Sequence, residues 1–345
     1  MDYSSFFFVK DELITLMLLG FFGFALAMLL TPVYTYFAYK YKFWKKIRKE
    51  TTTGEKSEIF TKLHAAKHAR HLPTMAGVIT IVSVVVVTVL LNWSRAQTWL
   101  PVAAMLGAGA VGLLDDVINL RGNGNGTAGL KARLKFVLIT GVALFGALYF
   151  YYKLGYDSFH LTFVGDISVG VFLIPLFLLV IVATANAVNI TDGLDGLAGG
   201  LLTSAFTAYG LIALLQGNFG IAGFAMTIVG ALLAYVWFNI FPARFMMGDV
   251  GSFALGASLG VIAMLTDTLI LLPVIGFVFV VETLSSALQI LSKKFRGKKL
   301  FKVAPIHHHF EASGWPEAKV TMRFWVVGQV AAVLGVFLAL IGGHI

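Results

Sequence analysis

The sequence contains no cysteine, and its charged residues are scarce. The lack of cysteine excludes disulfide bonds, thiolate catalysis and Cys-based zinc sites. Charged residues make up only 12% of the 345 positions, about half the share found in a typical soluble domain. Hydrophobic residues make up 58%, and the mean hydropathy is +0.86. The composition excludes a disordered chain, a basic nucleic-acid-binding domain and an ordinary cytosolic enzyme, and it indicates an integral membrane protein.

Uncharged apolar runs that are long enough to cross a bilayer recur along the whole chain. A spanning helix needs about 20 such residues. The runs are 13–39, 72–94, 96–114, 136–152, 167–191, 196–243, 250–266, 268–292 (interrupted only by Glu282) and 324–343. Gln216, Gly217 and Asn218 divide the run 196–243 into two helices. The sequence therefore predicts an all-α integral membrane protein of ten transmembrane helices, forming a single domain over residues 1–345.

The basic residues predict the orientation of this bundle. In a ten-span topology, every Lys and Arg except Lys10, Arg95 and Lys153 falls in loops on one face. The positive-inside rule makes that face cytoplasmic, so both termini are predicted to be extracytoplasmic. On the outer face, the turn residues within 153–168 predict a small β-hairpin.

Five carboxylates stand at the predicted cytoplasmic ends of apolar segments. They are Asp115, Asp116, Asp192, Asp195 and Asp249. One such residue would more often cap a helix or reach solvent. An ionisable group near membrane depth is costly, however, and five on one face beside small or polar neighbours favour a functional interpretation. The sequence predicts an active site at the cytoplasmic face.

The neighbours of these carboxylates suggest a metal ion and a phosphate. Asn186 and Asn189 are three residues apart, as are Asp192 and Asp195, so each pair would share a face in a helix. The Met-Gly-Asp-Val-Gly-Ser segment around Asp249 would put a carboxylate and glycine N–H groups at a helix start, which suits a metal beside a phosphate. Oxygen ligands favour Mg²⁺ or Mn²⁺ over zinc.

Basic residues complete the candidate site. His307, His308 and His309 form either a solvated basic loop or a cluster that contacts a phosphate or metal, and at most two of them can face one point in a helix. Arg133 and Lys135 follow the Asp pair along the chain, although basic residues are ordinary in cytoplasmic loops. Carboxylates, carboxamides, a divalent metal and cations together suit phosphoryl transfer, and the membrane setting suggests a lipid phosphate as one substrate.

At these residues the sequence resembles the phospho-N-acetylmuramoyl-pentapeptide transferases, a branch of the polyprenyl-phosphate N-acetylhexosamine-1-phosphate transferases. The matching motifs are Asn-Ala-Val-Asn-Ile-Thr-Asp-Gly-Leu-Asp-Gly-Leu-Ala at 186–198, Phe-Asn at 238–239 with Pro-Ala at 242–243, Met-Gly-Asp-Val-Gly-Ser at 247–252, Val-Val-Glu-Thr-Leu-Ser at 280–285 and Ala-Pro-Ile-His-His-His-Phe-Glu at 304–311. The triple-His motif separates this branch from its GlcNAc-phosphate relatives. The resemblance covers nearly the whole chain, and ten spans with both termini outside fit it.

The resemblance implies an activity and a location. Phospho-MurNAc-pentapeptide would pass from UDP-MurNAc-pentapeptide to undecaprenyl phosphate, giving lipid I and UMP in peptidoglycan synthesis, with Mg²⁺ required. The protein would be a multi-pass protein of the bacterial inner membrane, and the family also implies a homodimer.

The resemblance further implies roles for individual residues. Asp249 would bind the metal, with Asn189 as a second candidate ligand. Asp115 and Asp116 would lie near the acceptor phosphate, where one would act as a base or organise the site. The residues implied for substrate binding are Asn186, Asp192, Asp195 and Asn239 at the nucleotide–sugar site, His307, His308 and His309 at its rim, and Arg133 and Lys135 in a stretch shared with the family.

Several positions depart from the family pattern. The family's Thr-Pro-Thr-Met-Gly-Gly motif appears here as Leu-Pro-Thr-Met-Ala-Gly at 72–77. Ala69 stands where the family usually has Lys. Met246 stands where an aromatic residue usually stacks on uracil, so that contact would pass to Phe245 or to the sulfur of Met246.

Two other functions are compatible with the residues. A related enzyme would transfer GlcNAc-phosphate or another hexosamine-phosphate, and the departures at Ala69 and Met246 leave this open. A non-enzymatic transporter or channel would also carry membrane carboxylates, but here they cluster at helix ends, with only Glu282 inside a span. Glu282 itself either forms a buried hydrogen bond between helices or lines a polar groove.

Overall fold

Long apolar helices form most of the molecule, since a helix satisfies its own backbone hydrogen bonds in lipid. The computed structural model describes residues 3–44, 71–121 and 129–345. The helices are α1 (Tyr3–Lys40), α2 (Gly77–Leu91), α3 (Trp99–Arg121), α4 (Ala132–Leu148), α5 (Leu173–Thr191), α6 (Leu197–Leu215), α7 (Phe219–Asn239), α8 (Gly248–Leu265), α9 (Leu272–Ile275), α10 (Phe277–Arg296), α11 (Ile306–Glu311) and α12 (Glu317–Ile341). A π-helical turn, Tyr149–Lys153, extends α4, and 3₁₀ turns precede α5 and α9.

The helices confirm an all-α membrane protein but not the count of ten spans. Within the described ranges, eight helices are long and apolar enough to cross a bilayer. A ninth span forms if α9 and α10, with the turn before them, are one broken span, because they bend by 81° at Gly276. Helix α2 has 15 residues, which at 1.5 Å per residue is shorter than the roughly 30 Å hydrocarbon core. Ten spans and the orientation of the termini stay predictions.

Helix α8 lies at the centre of the bundle and carries one functional candidate at its start. Every residue of α8 is buried except Asp249. Neighbouring helices approach closely through glycine: a Cβ at Gly112 of α3 would overlap the backbone of Asp249, and one at Gly77 of α2 would overlap Gly251. The core around α8 is therefore closely packed, and Asp249 lies at its edge with its carboxylate partly exposed.

The predicted division at residues 216–218 and the predicted hairpin are both confirmed. Helix α6 ends at Leu215 and α7 begins at Phe219, with Gly217 between them at φ +74°. Strands β1 (Ser158–Leu161) and β2 (Gly165–Ser168) pair antiparallel, with Ser158 opposite Ser168. Both features lie at the end of the bundle away from Asp249.

Candidate active site

Three side chains from three helices meet at the start of α8. The ammonium group of Lys135 on α4 lies 2.9 Å from a carboxylate oxygen of Asp115 on α3 and 2.7 Å from one of Asp249. The other oxygen of Asp115 accepts a hydrogen bond from the backbone N–H of Leu130 at 2.6 Å. The side chain of Asp115 is 2% exposed and that of Asp249 is 14% exposed. Two partly desolvated carboxylates therefore share one cation at the edge of the core.

Asp116, the neighbour of Asp115 on α3, has a different role in the structure. It is fully buried, and one of its oxygens accepts a hydrogen bond from the backbone N–H of Val250 at 3.0 Å. Val250 is in the first turn of α8, where N–H groups have no partner within the helix. Asp116 therefore caps α8 and fixes the turn that carries Asp249. The two adjacent aspartates divide their work, because one faces Lys135 and the other faces the helix end.

The end of α5 is tied to the same turn. The side-chain amide of Asn189 donates to the hydroxyl of Ser252 at 2.9 Å, and that hydroxyl donates to the backbone carbonyl of Gly248 at 3.1 Å. Ser252 thus links Asn189 to the helix turn that carries Asp249, the other predicted metal ligand. Asn186, one helical turn earlier, donates to the carbonyl of Val182 in its own helix.

The turn between α5 and α6 is held from several sides. Asp195 is buried, and its carboxylate accepts from the backbone N–H of Ala243 at 2.9 Å. Asn239 is also buried; it accepts from the N–H of Gly196 at 2.9 Å and donates to the carbonyl of Phe245 at 2.7 Å. These two residues join the 192–196 turn to the segment before α8. Asp192, which is half-buried, is the carboxylate of this turn that faces outward.

Phe245 does not offer a free ring to a ligand. It is 2% exposed and packs against the rings of Tyr34, Tyr235 and Phe238, with centroids 5.6–5.9 Å apart. The expectation that Phe245 stacks on uracil is not supported by this position, since protein already covers its faces. Met246 is half-buried and is the more accessible of the two side chains.

The segment before α2 runs beside the segment before α8. The backbone N–H groups of Ala76 and Gly77 donate to the carbonyls of Met246 and Met247 at 3.1 and 2.9 Å. The N–H of Met246 donates to the carbonyl of Pro73 at 2.8 Å. The motif at 72–77 is therefore part of the site. Ala69, another departure from the family pattern, lies outside the described residues.

Short helix α11 presents two of its three histidines inward. Nδ1 of His307 lies 2.8 Å from a carboxylate oxygen of Glu282, and both side chains are almost fully buried. Nδ1 of His308 lies 2.7 Å from Glu311. His309 is half-buried, and its Nδ1 accepts from the backbone N–H of Lys302 at 3.2 Å. The expectation that no more than two of the three face one point agrees with this arrangement.

Glu282 belongs to a polar stripe on α10 that the sequence reasoning did not identify. The stripe consists of Glu282, Ser285, Gln289 and Ser292, all buried. Their spacing of three, four and three residues puts them on one helix face. That spacing within an otherwise apolar run was the available signal. Of the two alternatives for Glu282, a buried hydrogen bond between helices is the one found.

Arg133 is a predicted site residue that the structure does not bring to the carboxylates. It is exposed on α4, two residues before Lys135. Residues two apart on a helix do not share a face. Lys135 is therefore the cation that faces Asp115 and Asp249, and Arg133 faces solvent.

The donor chemistry at the start of α8 fits a hard divalent cation. Asp115 and Asp249 already converge on one positive charge, that of Lys135. Within the described part of the chain, no cluster of three or more His, Asp or Glu side chains forms a complete metal cage. Mg²⁺ typically uses only one or two carboxylates and takes its other ligands from water and substrate phosphates. Two carboxylates beside Asn189 are a suitable partial set.

An apolar groove of about 580 Å³ lies along α5, the helix that also carries Asn189. It runs between α5 and the bent α9–α10 pair, from Leu269 and Pro273 to Val188. Its almost entirely apolar lining suits a hydrocarbon chain.

Comparison with known proteins identifies a matching family and several relatives. A family model described as "Glycosyl transferase family 4" matches residues 98–267, a range that includes Asp115, Lys135, Asn189 and Asp249. Relatives match over most of the chain. A phospho-N-acetylmuramoyl-pentapeptide-transferase of Chloroflexus aggregans is 40% identical over 335 residues, covering 93% of this chain and 88% of the relative.

Two further relatives carry the same name. The one from Bacillus subtilis is 39% identical over 325 residues, which cover 92% of this chain and 95% of the relative. The one from Clostridium botulinum is 35% identical over 319 residues, which cover 92% of this chain and 94% of the relative.

Proposed function

Because the chain belongs to the phospho-N-acetylmuramoyl-pentapeptide-transferase family, we propose that it transfers phospho-MurNAc-pentapeptide from UDP-MurNAc-pentapeptide to undecaprenyl phosphate. The observation that supports this most directly is the convergence of Asp115, Lys135 and Asp249 in a bundle whose helix α5 also lines an apolar groove. The bundle thus combines a polar site suited to a pyrophosphate with a surface suited to a lipid tail.

The reaction exchanges one phosphoanhydride bond for another. An oxygen of the lipid phosphate attacks the phosphorus that bears the sugar, a new P–O–P bond forms, and the bond to UMP breaks with the electron pair leaving on UMP. A phosphate monoester has a second pKa near 6, so the acceptor is already largely ionised at neutral pH. Positioning and charge neutralisation therefore contribute more to the rate than proton removal does.

Asp249 and Asn189 are the proposed holders of Mg²⁺, with Asp115 facing the same space. When bound, Mg²⁺ would neutralise charge on the pyrophosphate. The remaining work falls to the protein. Lys135 holds Asp115 and Asp249 together, and Asp116 fixes the helix turn from which Asp249 projects.

The nucleotide–sugar part of the donor would occupy the space between the 192–196 turn, Met246 and α11. Asp192 and Met246 are the accessible groups on one side, and His307 and His308 face inward on the other. Asp195 and Asn239 act on this space indirectly, because both are buried and hold its backbone walls.

The hydrocarbon chain of the acceptor would lie in the apolar groove between α5 and the α9–α10 pair. That placement brings its phosphate to Asn189 and the carboxylate cluster beyond it. Two polar side chains, Thr184 and Thr283, interrupt an otherwise apolar lining. Such a groove can contact a long polyprenyl chain along its length, because the apolar wall extends along most of α5.

The topology is part of the proposal. We infer ten spans with α2 and the α9–α10 pair included, both termini outside, a single domain in the bacterial inner membrane, and a homodimer. The chain has no cysteine, so single cysteines can be introduced at Ser158 and Lys298 and labelled in intact cells. An impermeant maleimide should label the cysteine at 158 and spare the one at 298; the reverse pattern would overturn the orientation.

The substrate assignment is tested by UMP release from purified protein with undecaprenyl phosphate and Mg²⁺. UDP-MurNAc-pentapeptide and UDP-GlcNAc are compared in parallel, each with an EDTA control. We expect EDTA-sensitive turnover of the muramyl donor only. Turnover of UDP-GlcNAc alone would favour the hexosamine-phosphate alternative, and turnover of neither donor would remove the substrate assignment.

A further inference from the structure

The polar stripe of α10 holds the chain that leads into α11. Gln289 accepts from the backbone N–H groups of Leu300 and Phe301, both at 2.9 Å. Ser292 donates to the carbonyl of Lys298 at 2.9 Å. This end of the stripe therefore binds backbone alone, as expected of residues that fix a loop.

Closer to the site, the stripe holds α11 itself. Ser285 accepts from the backbone N–H of Ile306 at 3.0 Å. Glu282 differs from the rest of the stripe, because it contacts a side chain of the candidate site, that of His307, at 2.8 Å. The pair is sealed from solvent, with side-chain exposures of 0% for Glu282 and 1% for His307.

The opposite edge of the His307 ring meets the turn between Asp192 and Asp195. A Cβ on Gly193 would overlap Nε2 of His307, so the ring packs directly on the backbone of that turn. The imidazole is thus held between the carboxylate of Glu282 on its Nδ1 side and the 192–196 turn on its Nε2 side. A carboxylate bound at Nδ1 fixes the orientation of a histidine ring and selects the tautomer that carries the Nδ1 proton.

We propose that Glu282 is a positioning residue for the transfer reaction, which holds His307 against the 192–196 turn and so fixes the backbone of that turn beside the diphosphate–sugar part of the nucleotide donor. This inference rests on the proposed function. A contribution to folding stability does not explain why Glu282 and His307 are paired, because a buried ion pair is often no more stabilising than apolar residues of the same volume. Orientation of a ring that supports the wall of the donor site gives a better explanation. Glu282 itself touches no reacting atom.

The test separates orientation from charge and from folding. Glu282→Leu removes the acceptor for the Nδ1 proton, whereas Glu282→Gln keeps an acceptor of the same shape without the charge. We expect Glu282→Leu to lower kcat/KM for the UDP donor by about 10- to 100-fold, the usual effect of losing such a supporting partner. KM for the lipid acceptor should stay near wild type, and Glu282→Gln should restore most of the loss.

A double-mutant comparison shows whether the effect passes through His307. In a His307→Ala background, Glu282→Leu should cost little more, because the ring it orients is gone. Ser285→Ala is the matched control, because it removes a contact of the same stripe to the backbone of α11. It should lower the melting temperature and leave kcat/KM for the donor near the wild-type value. If Glu282→Leu fails to accumulate, Glu282→Asp withdraws the carboxylate from Nδ1 and should show the same selective loss.

Several outcomes would overturn the proposal. They are full activity of Glu282→Leu, an equal loss in the His307→Ala background, or a loss from Ser285→Ala as large as that from Glu282→Leu. Each of these leaves the wild-type activity on the muramyl donor intact. Failure of the proposed function is distinct, since the wild-type protein would then release no UMP from that donor.

Discussion

The two ends of the helix bundle use the same residue types for different purposes. One end holds Asp115, Asp249 and Lys135 with His307 and His308 nearby. The other end also has two carboxylates and two histidines, Asp166, Asp267, His160 and His344. Carboxylates and histidines therefore occur at both ends, which we call inner and outer after the predicted topology.

At the outer end, these groups join different parts of the chain to one another. Asp267 accepts from the backbone N–H of His160 at 2.9 Å, and Nδ1 of His344 lies 2.9 Å from the carbonyl of Asp267. Thr162 contacts Nε2 of His344 at 2.9 Å. The hairpin, the turn after α8 and the chain terminus are thereby joined. The side chains here bind backbone and one another, and Asp166 is 71% exposed.

At the inner end, by contrast, carboxylates converge on a single cation. Asp115 and Asp249 share Lys135 although both are largely removed from water. Charges brought together under such desolvation repel strongly unless neutralised, which makes the arrangement suited to a multivalent ligand. The convergence of buried carboxylates on one cation, more than the residue types, distinguishes the candidate active site from the contacts that hold the outer end together.

The largest expected effect is loss of Asp249. Asp249→Ala should reduce turnover by about 100- to 1000-fold, the size typical of removing one preorganised electrostatic group. UMP release and size-exclusion behaviour would be measured together. Asp267→Asn at the outer end is the matched control and should keep turnover near wild type. An active, folded Asp249→Ala protein would remove the assignment of Asp249 to the metal.

Loss of Lys135 should change both rate and metal requirement. Lys135→Met leaves Asp115 and Asp249 without their shared cation, so kcat should fall by about 10- to 100-fold. The same change should lower the Mg²⁺ concentration for half-maximal activity, because the ammonium no longer competes for the carboxylates. Lys131→Gln, which alters an exposed lysine on the same segment, should change neither quantity. An unchanged Mg²⁺ requirement in Lys135→Met would contradict a shared site.

A methyl group at Gly193 should disturb His307 selectively. Gly193→Ala places a Cβ against Nε2 of a ring that Glu282 already holds, so the ring or the turn must move. We expect kcat/KM for the donor to fall by about 10-fold, as for other small misplacements of a positioned group. Gly141→Ala is a suitable control, since a Cβ there meets open space. Equal activity of the two variants would show that His307 tolerates displacement.

The smallest effect concerns pH and the outer end. A hydrogen bond that Asp166 accepts from the His160 ring raises the pKa of His160 above its ordinary value of 6.5, against the opposing effect of burial. The stabilisation is therefore complete below that value and is lost as pH rises through the raised pKa. Burial raises the pKa of Asp267 and lowers that of His344, the other two titratable groups that face this pair.

Melting temperatures measured from about pH 6 to pH 9 test this assignment. The wild type should lose at most about 2 °C across the window, because the Asp166 partner is exposed and screened. Asp166→Asn should flatten the slope and leave turnover unchanged. An identical slope in both proteins would show that the pair contributes nothing.

The inventory of the candidate site was predictable from the sequence, whereas the division of labour within it was not. Adjacent positions 115 and 116 gave no sign that one aspartate would bind Lys135 and the other cap α8. Phe245 was expected to face a ligand, yet Tyr34 from the first helix helps cover it. Each outcome depends on which distant helix packs alongside, and local pattern carries no information about that.

The sequence by itself determined that this protein is a bundle of apolar helices with most of its charged residues at helix ends or in loops. The reason is thermodynamic and local: lipid forbids unsatisfied backbone and unpaired charge, so long uncharged runs must become helices. Only the tertiary structure decided that Lys135 joins Asp115 to Asp249, and that Glu282 holds His307. Those contacts join residues 20 to 114 positions apart in the chain. Such pairs form because glycine-mediated close packing brings particular helix ends together.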